Sequence, residues 1–229
     1  MRNKFIFNHK DKDDFFRKLV FFSEEYKHFC LLDSNSSENN VPERYFEYDF
    51  ICAFDAIETL SSNNNSILKI KDFHSKFNDW MFGCLSYDLK DEIFNIPSKS
   101  NDNLNSDHIS FFIPKYVILA KDSKIEILTY ENKESINSLI NQISTYYCNE
   151  QKLTDITFKA RESKQSYLQK INKIKCHIKR GDIYEINYCQ EFFNDNILIS
   201  PHNIFYHLNM STKSPFASFL KNDKINLMG

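Results

Sequence analysis

Chemistry in this chain would have to come from three groups of polar side chains. The first lies in "KRGDIYEINYCQEFF", Lys179 to Phe193. Read as an extended run, its alternate residues share a face, with Tyr184, Ile186, Tyr188, Gln190 and Phe192 on one side. Ile183, Glu185, Asn187, Cys189 and Glu191 fall on the other. Two acids, an amide and a thiol on one face suit the wall of a polar pocket, and equally suit structural hydrogen bonding. The second group is Asp88, Asp91 and Glu92. Three close acids raise the idea of a metal site, but acids at a loop-to-helix junction also cap the helix and meet its positive end. The third is His202 with His207. Their spacing of five fits neither one helical face nor the i, i+4 pair of zinc helices, so they read as surface or core histidines.

Six cysteines, at 30, 52, 84, 148, 176 and 189, never form a CxxC pair, and no zinc-ligand spacing is present. Cys30, Cys52, Cys84 and Cys189 sit in apolar, strand-like runs, where a reduced thiol behaves as a small hydrophobe. Lys+Arg number 29 against 31 Asp+Glu, a formal charge of -2. That balance leaves no electrostatic footprint for nucleic acid or an acidic membrane surface. The start, "MRNKFIFNHKDKDD", has no apolar signal core, and no run reaches the ~18 apolar residues of a membrane span. A cytoplasmic protein is expected, and the triplet Arg180-Gly181-Asp182 then reads as a corner and not an adhesion signal.

The elements that must hold these groups can be read in outline. Hydrophobic residues make up 41% of the chain, with 22 Phe and 12 Tyr, enough for a core and against disorder. Ser/Asn-rich stretches at 33–40, 61–66 and 98–107 read as loops. Between them run "KFIF" (4–7), "HFCLLDS" (28–34), "YDFICAF" (48–54), "ILKI" (67–70), "WMFGCLSYDL" (80–89), "FFIPKYVILA" (111–120) and "KIEILTY" (124–130), each read as a strand. Helices are expected over 11–26, capped by Asp11, and over 133–147. The clearest helix is 163–180, where Leu168, Ile171, Ile174 and Ile178 make one stripe and Ser163 caps the start. Gly181, one of only three glycines, stands where such a helix ends on a left-handed residue. The fold class expected is α+β, antiparallel sheets of β-sandwich type with flanking helices.

From Ile178 to Phe193 the pattern I-x-x-GDIY-[QE]-[IV]-N-x-x-Q-x-F resembles the segment that opens the chorismate-binding domain of anthranilate synthase and aminodeoxychorismate synthase large subunits. The matching positions are Gly181, Asp182, Tyr184, Glu185, Asn187 and Gln190, with Glu185 where glutamine is more usual. Three more elements follow the family's order. "CLLDS" (30–34) is similar to its Leu-Leu-x-Ser element, "WMFGCLSYDLKDEI" (80–93) to its Phe-Gly-x-x-Ser/Gly-Tyr-Asp segment, and "KSPFASFL" (213–220) to its Ser/Ala-Pro-Phe/Tyr strand. The Pro-Phe form and the wording "LSYDLKDEI" lean towards aminodeoxychorismate synthase.

The resemblance implies an anthranilate synthase component I-like fold acting on chorismate, with Mg2+ as cofactor and a glutamine amidotransferase partner supplying ammonia. In the family the acid/base glutamates, the Mg2+ carboxylates and the Pro-Ile-Lys/Ala-Gly-Thr motif follow the position of Gly229. The expectation is therefore a C-terminally truncated large subunit, inactive alone, with no catalytic or metal-binding residue carried onto this chain. Its domains would be 1–150, an N-terminal subdomain, and 151–229, the opening of the chorismate-binding part. Expulsion of the chorismate 4-hydroxyl as ammonia enters needs a metal, general acid/base groups and, in this branch, an amine nucleophile. The resemblance also implies tryptophan as a bound amino acid, at Ser34, Tyr45, Phe46, Glu47, Tyr48, Pro215, Phe216 and Ala217. A packed aromatic interface is the other reading of those residues. Beside both synthases stands a third possibility, a non-catalytic module that binds an amino acid or the amidotransferase.

Overall fold

The computed structural model describes residues 1–9, 11–36, 46–96, 104–152, 156–195 and 197–229. In chain order the first elements are β1 (Asn3–Asn8), α1 (Lys12–Phe22), β2 (Phe29–Asp33), β3 (Phe50–Ser62), α2 (Ser66–Phe77), β4 (Phe82–Leu85), α3 (Lys90–Phe94), β5 (Ile109–Lys121), β6 (Lys124–Thr129) and α4 (Lys133–Thr145). There follow β7 (Lys159–Ala160), α5 (Lys164–Arg180), β8 (Phe192–Phe193), α6 (Pro201–Thr212), β9 (Ala217–Lys221) and β10 (Asn226–Met228). They divide into two compact units, one of Met1–Gln151 with Pro201–Gly229, the other of Lys152–Ser200.

The first unit is built on one eight-stranded antiparallel sheet ordered β1-β6-β5-β3-β2-β9-β10, with β4 paired to β5. Period-2 alternation decides which residues face which side. Phe29 and Leu31 turn to one face with Phe54, Ile118, Ile127 and Phe219. There they meet Leu19 and Val20 of α1, Ile136 and Ile143 of α4, and Phe205 of α6. Cys30, Ala53, Phe82, Phe112, Val117 and Leu119 form a smaller cluster on the opposite face. The expected sandwich is therefore corrected: among the described residues one sheet packs against helices, and no second sheet of comparable size stacks on it.

Local features explain the register. Pro114 lies inside β5 opposite Ala56, at the point where pairing shifts between Ala56 and Glu58. A proline has no N–H to give a ladder and is accommodated at such a bulge. Arg2 reaches across to the same place, donating to the Pro114, Lys115 and Leu128 carbonyls and to both oxygens of Asp79. Gly83 on β4 is required by close approach, because a Cβ there would lie 2.0 Å from the Ser110 carbonyl oxygen.

Three expected helices form where their patterns place them. Asp11 accepts the Asp14 N–H at the start of α1, and Asn132 and Ser163 do the same for α4 and α5. "ILKI" is a correction: Ile67 to Ile70 lie in α2, not a strand. Four residues cannot distinguish a period of two from 3.6, and Phe73 and Phe77 continue the apolar positions at helical spacing.

The second unit consists of α5 and the two-residue pairing of β7 with β8. Here the sequence reading of Ile183–Phe193 as a strand is also corrected. Only Phe192 and Phe193 pair, and Ile183 to Glu191 run without a ladder. Alternation alone does not make a strand; a neighbour must accept its backbone hydrogen bonds. Cys189, expected inside a strand, is exposed in consequence.

Candidate functional site

The motif residues of the second unit start from the end of α5. Gly181 takes φ 80°, and the Gly181 and Asp182 N–H groups close on the Ile178 and His177 carbonyls, each at 3.0 Å. This is the left-handed stop that glycine permits. Asp182 folds back, its Oδ2 2.7 Å from both the His177 Nδ1 and the Arg180 guanidinium. His177, then Arg180, hold its carboxyl below the usual range. The Arg-Gly-Asp triplet is thus a helix terminus tied to itself.

The run that follows is anchored from one face. Tyr188 donates its hydroxyl to Glu162 Oε2 at 2.5 Å, and Gln190 donates its amide to the Glu162 carbonyl at 2.9 Å. Glu162 also receives Lys170 at 2.6 Å and the Ser166 hydroxyl at 2.5 Å. Lys170, with Ser166 and Tyr188, pulls the Glu162 carboxyl down to about 2. Sequence reasoning missed Glu162, whose only signal was its place beside the capping Ser163. Glu185 and Asn187, on the opposite face, are exposed and make no hydrogen bond among the described residues. Tyr184 is 93% exposed. What the segment offers is a strip of unpaired backbone and polar side chains.

In the first unit the residues assigned to an amino-acid site are only partly gathered. Ser34 is buried, but its hydroxyl donates to the Asp49 carbonyl at 2.8 Å and accepts the Ser36 N–H. Phe46 and Phe216 face each other with ring centroids 5.4 Å apart, and Phe216 holds a strained φ of 61°. Ala217 is buried opposite Asp33 in the β9–β2 pairing, whereas Pro215 is exposed. Tyr48 packs on the smaller core cluster, with Glu47 beside it. Tyr45 lies outside the described residues. The two rings contact each other, and Phe216 keeps 64% of its surface exposed.

The acidic group of the sequence turns out to be two structures. Asp88 and Asp91 share the Lys90 ammonium. Glu92 faces away, accepting the Ser66 N–H at 2.8 Å and its hydroxyl at 2.5 Å, with His108 Nδ1 at 2.7 Å. Burial pushes the Glu92 carboxyl up, but Ser66 and His108 outweigh it and bring it to about 2. Of the histidines, His202 packs against Phe21 at 5.2 Å. Among the described residues no three His, Cys, Asp or Glu side chains converge on a point where a metal could sit.

The family model for chorismate binding enzymes matches residues 9–229. The chain belongs to the chorismate-binding enzyme family. No curated protein matches it. Membership makes chorismate the family's substrate and covers both compact units. No helix among the described residues is long and apolar enough to cross a membrane.

Proposed function

We propose that this chain is part of the large subunit of an aminodeoxychorismate synthase, which converts chorismate and amidotransferase-derived ammonia to 4-amino-4-deoxychorismate. The observation that carries this within the family is the Pro215-Phe216 dipeptide on the approach to β9, together with "LSYDLKDEI" from Leu85 to Ile93. Chorismate is a dianion, so its site needs donors. Among the described residues the backbone N–H groups from Ile183 to Gln190 and the exposed Asn187 amide find no acceptor, and we assign these donors to the pocket wall. Gly181 and the Glu162–Tyr188 bond position that wall. The chain alone is expected to bind without turnover, since among the described residues no three His, Cys, Asp or Glu side chains gather as a metal site would need.

Anthranilate synthase is the second reading, since the Leu-Leu-Asp-Ser element, Leu31–Ser34, suits both branches. The full-length gene that encodes this chain should restore growth of a p-aminobenzoate auxotroph and fail to rescue a tryptophan auxotroph. The reverse result assigns the chain to anthranilate synthesis. The non-catalytic reading draws on the continuous core of the first unit, and it predicts that neither auxotroph is rescued. Tryptophan remains the proposed ligand of the Phe46–Phe216 face. Calorimetric titration should give heat that is lost in Phe216→Ala and Ser34→Arg, and absence of heat at millimolar ligand removes the site.

A further inference from the structure

We propose that the hollow between the end of α1, the turn Ser23–Glu25 that follows it and the end of α4 binds a quaternary ammonium group, a trimethylated cation carried on a small body. The inference stands apart from the proposed function. The whole lining lies in the first compact unit, and no residue assigned to chorismate or tryptophan belongs to it.

Aromatic surface sets the first limit. Four rings line the hollow, and Phe22 is the most buried of them. Tyr26 and Tyr146 each meet Phe22 edge-on, with ring centroids 5.3 Å away. Tyr147, 83% exposed, stands at the mouth. A cation whose charge is spread over methyl groups is drawn to ring faces, and clustered aromatic rings are the usual means of holding it. The hollow measures about 530 Å³, which leaves room for a trimethylammonium head and the body that carries it.

Charge sets the second. Among the described residues the Glu25 carboxylate, which lines the hollow, accepts the Tyr146 hydroxyl at 2.9 Å and pairs with no cation. Burial, then Asp55, raises the Tyr26 hydroxyl above the usual phenol range, and burial, then Glu25, raises that of Tyr146. Both rings therefore stay neutral at neutral pH. Two lysines come near without entering the lining. Lys221 gives its ammonium to the Ser23 and Glu24 carbonyls at 2.8 and 3.4 Å, and Lys18 gives its own to the Ser144 carbonyl at 2.7 Å and to Asp14.

Hydrogen bonding decides the form of the cation. A primary ammonium brings three N–H donors, and the lining has few acceptors left for them. Glu25 already takes Tyr146, while Gln142 and Thr145 bond within α4, to the Ser138 hydroxyl and the Asn141 carbonyl. A quaternary nitrogen brings no donor and needs no acceptor. An anion would meet Glu25 with no lysine or arginine in the lining to receive it.

The test titrates the whole chain, followed by NMR, with choline, with trimethyl-lysine, and with dimethylbutanol, the neutral isostere of choline in which carbon replaces nitrogen. One of the two cations should bind in the millimolar range or tighter, at least about fivefold above the isostere. The tighter cation names the source, a free ammonium alcohol or a methylated side chain. Glu25→Gln keeps an acceptor for Tyr146 and removes the charge, so it should weaken the cation by about threefold or more and leave the isostere unchanged. Tyr147→Ala removes a ring that is no part of the core, and it should weaken the cation by a similar factor. The proposal is overturned by no binding of either cation at about 50 mM, by equal binding of the isostere, or by unchanged affinity in both variants. Should Glu25→Gln lose its cooperative melt, Tyr147→Ala decides alone, and full affinity there refutes the site.

Discussion

Glu92 closes the N-terminus of a helix that is not its own. It sits on α3, yet its carboxylate holds both the N–H and the hydroxyl of Ser66, the first residue of α2. Asn65, the residue in the capping position, makes no side-chain bond to the helix and takes φ 49°. The capping function has passed to a residue 26 positions away.

Removing that cap has a cost and a pH signature. Glu92→Ala should lower stability at neutral pH by about 1 kcal/mol, the usual value of an N-cap, or ~2–4 °C in Tm for a chain of this size. The folded carboxyl lies at about 2, below the ~4.3 of an unfolded glutamate. Its contribution is therefore complete above the unfolded value and is lost as pH falls towards the folded one. The difference in Tm between wild type and Glu92→Ala should be constant above pH ~5 and shrink between about pH 4 and 2. A difference that grows on acidification would refute the assignment.

Among the described residues of the first unit Arg2 and Asp79 make the most enclosed ion pair, with side chains 6% and 9% exposed. Tyr130 donates to the same carboxylate at 2.7 Å. Burial raises the Asp79 carboxyl, and Arg2 with Tyr130 lowers it further than burial lifts it. Taking away one partner strands the other charge, so Arg2→Ala should destabilise by about 3–5 kcal/mol. Arg2→Met with Asp79→Leu, which removes both charges, should cost less than Arg2→Ala alone. Denaturant melts of the three variants check the order, and a double variant worse than the single one would contradict it.

How far the sequence led can be seen from which partners are local. The helix α5 was legible because Ser163, its apolar stripe and Gly181 lie in one window, and each sets φ/ψ or accepts a nearby N–H. Cys30 and Cys52 were legible as core thiols because their strands alternate cleanly. Glu92 was read as a cap in the right neighbourhood but for the wrong helix, since sequence distance hides a bond made through the fold. Ile183–Glu191 misled for the opposite reason. It carries the alternation of a strand, and pairing depends on a neighbour that no local pattern reveals. The bond from Asn209 to Asp33 was invisible, because the two stand 176 residues apart.

Two of the three glycines are needed for different reasons, and substitution should separate them. At Gly83 a Cβ would lie 2.6 Å from the Phe111 Cα as well as 2.0 Å from the Ser110 oxygen, both backbone atoms of the paired strand. Gly83→Ala must therefore push β4 from β5, an overpacking cost of about 1–3 kcal/mol or more. At Gly181 an added Cβ would meet no packed atom within 4 Å among the described residues, and only the φ of 80° opposes a side chain. Gly181→Ala should cost about 1–2 kcal/mol, from the left-handed backbone alone. Gly181→Asn should recover part of that loss, since asparagine tolerates this region, whereas Gly83→Asn should be worse than Gly83→Ala. Thermal melts of the four variants test the contrast, and rescue by asparagine at Gly83 would refute the steric account.

Hydrogen exchange should resolve the segment that the motif made conspicuous. Among the described residues no backbone N–H from Ile183 to Gln190 donates a hydrogen bond within the chain, although the Glu191 carbonyl accepts from Arg161. Opening free energies follow such bonding, from near zero in unpaired segments up to the global value in central strands. Amides 183–190 should then exchange at close to the free-peptide rate, while those of β3 and β5, paired over most of their length, exchange only on global unfolding. Addition of chorismate should slow exchange at 183–190 before it affects β3 or β5, because those N–H groups are the donors assigned to the dianion. Strong protection there without ligand would mean that the strip is already paired, and would remove it as the wall of a chorismate site.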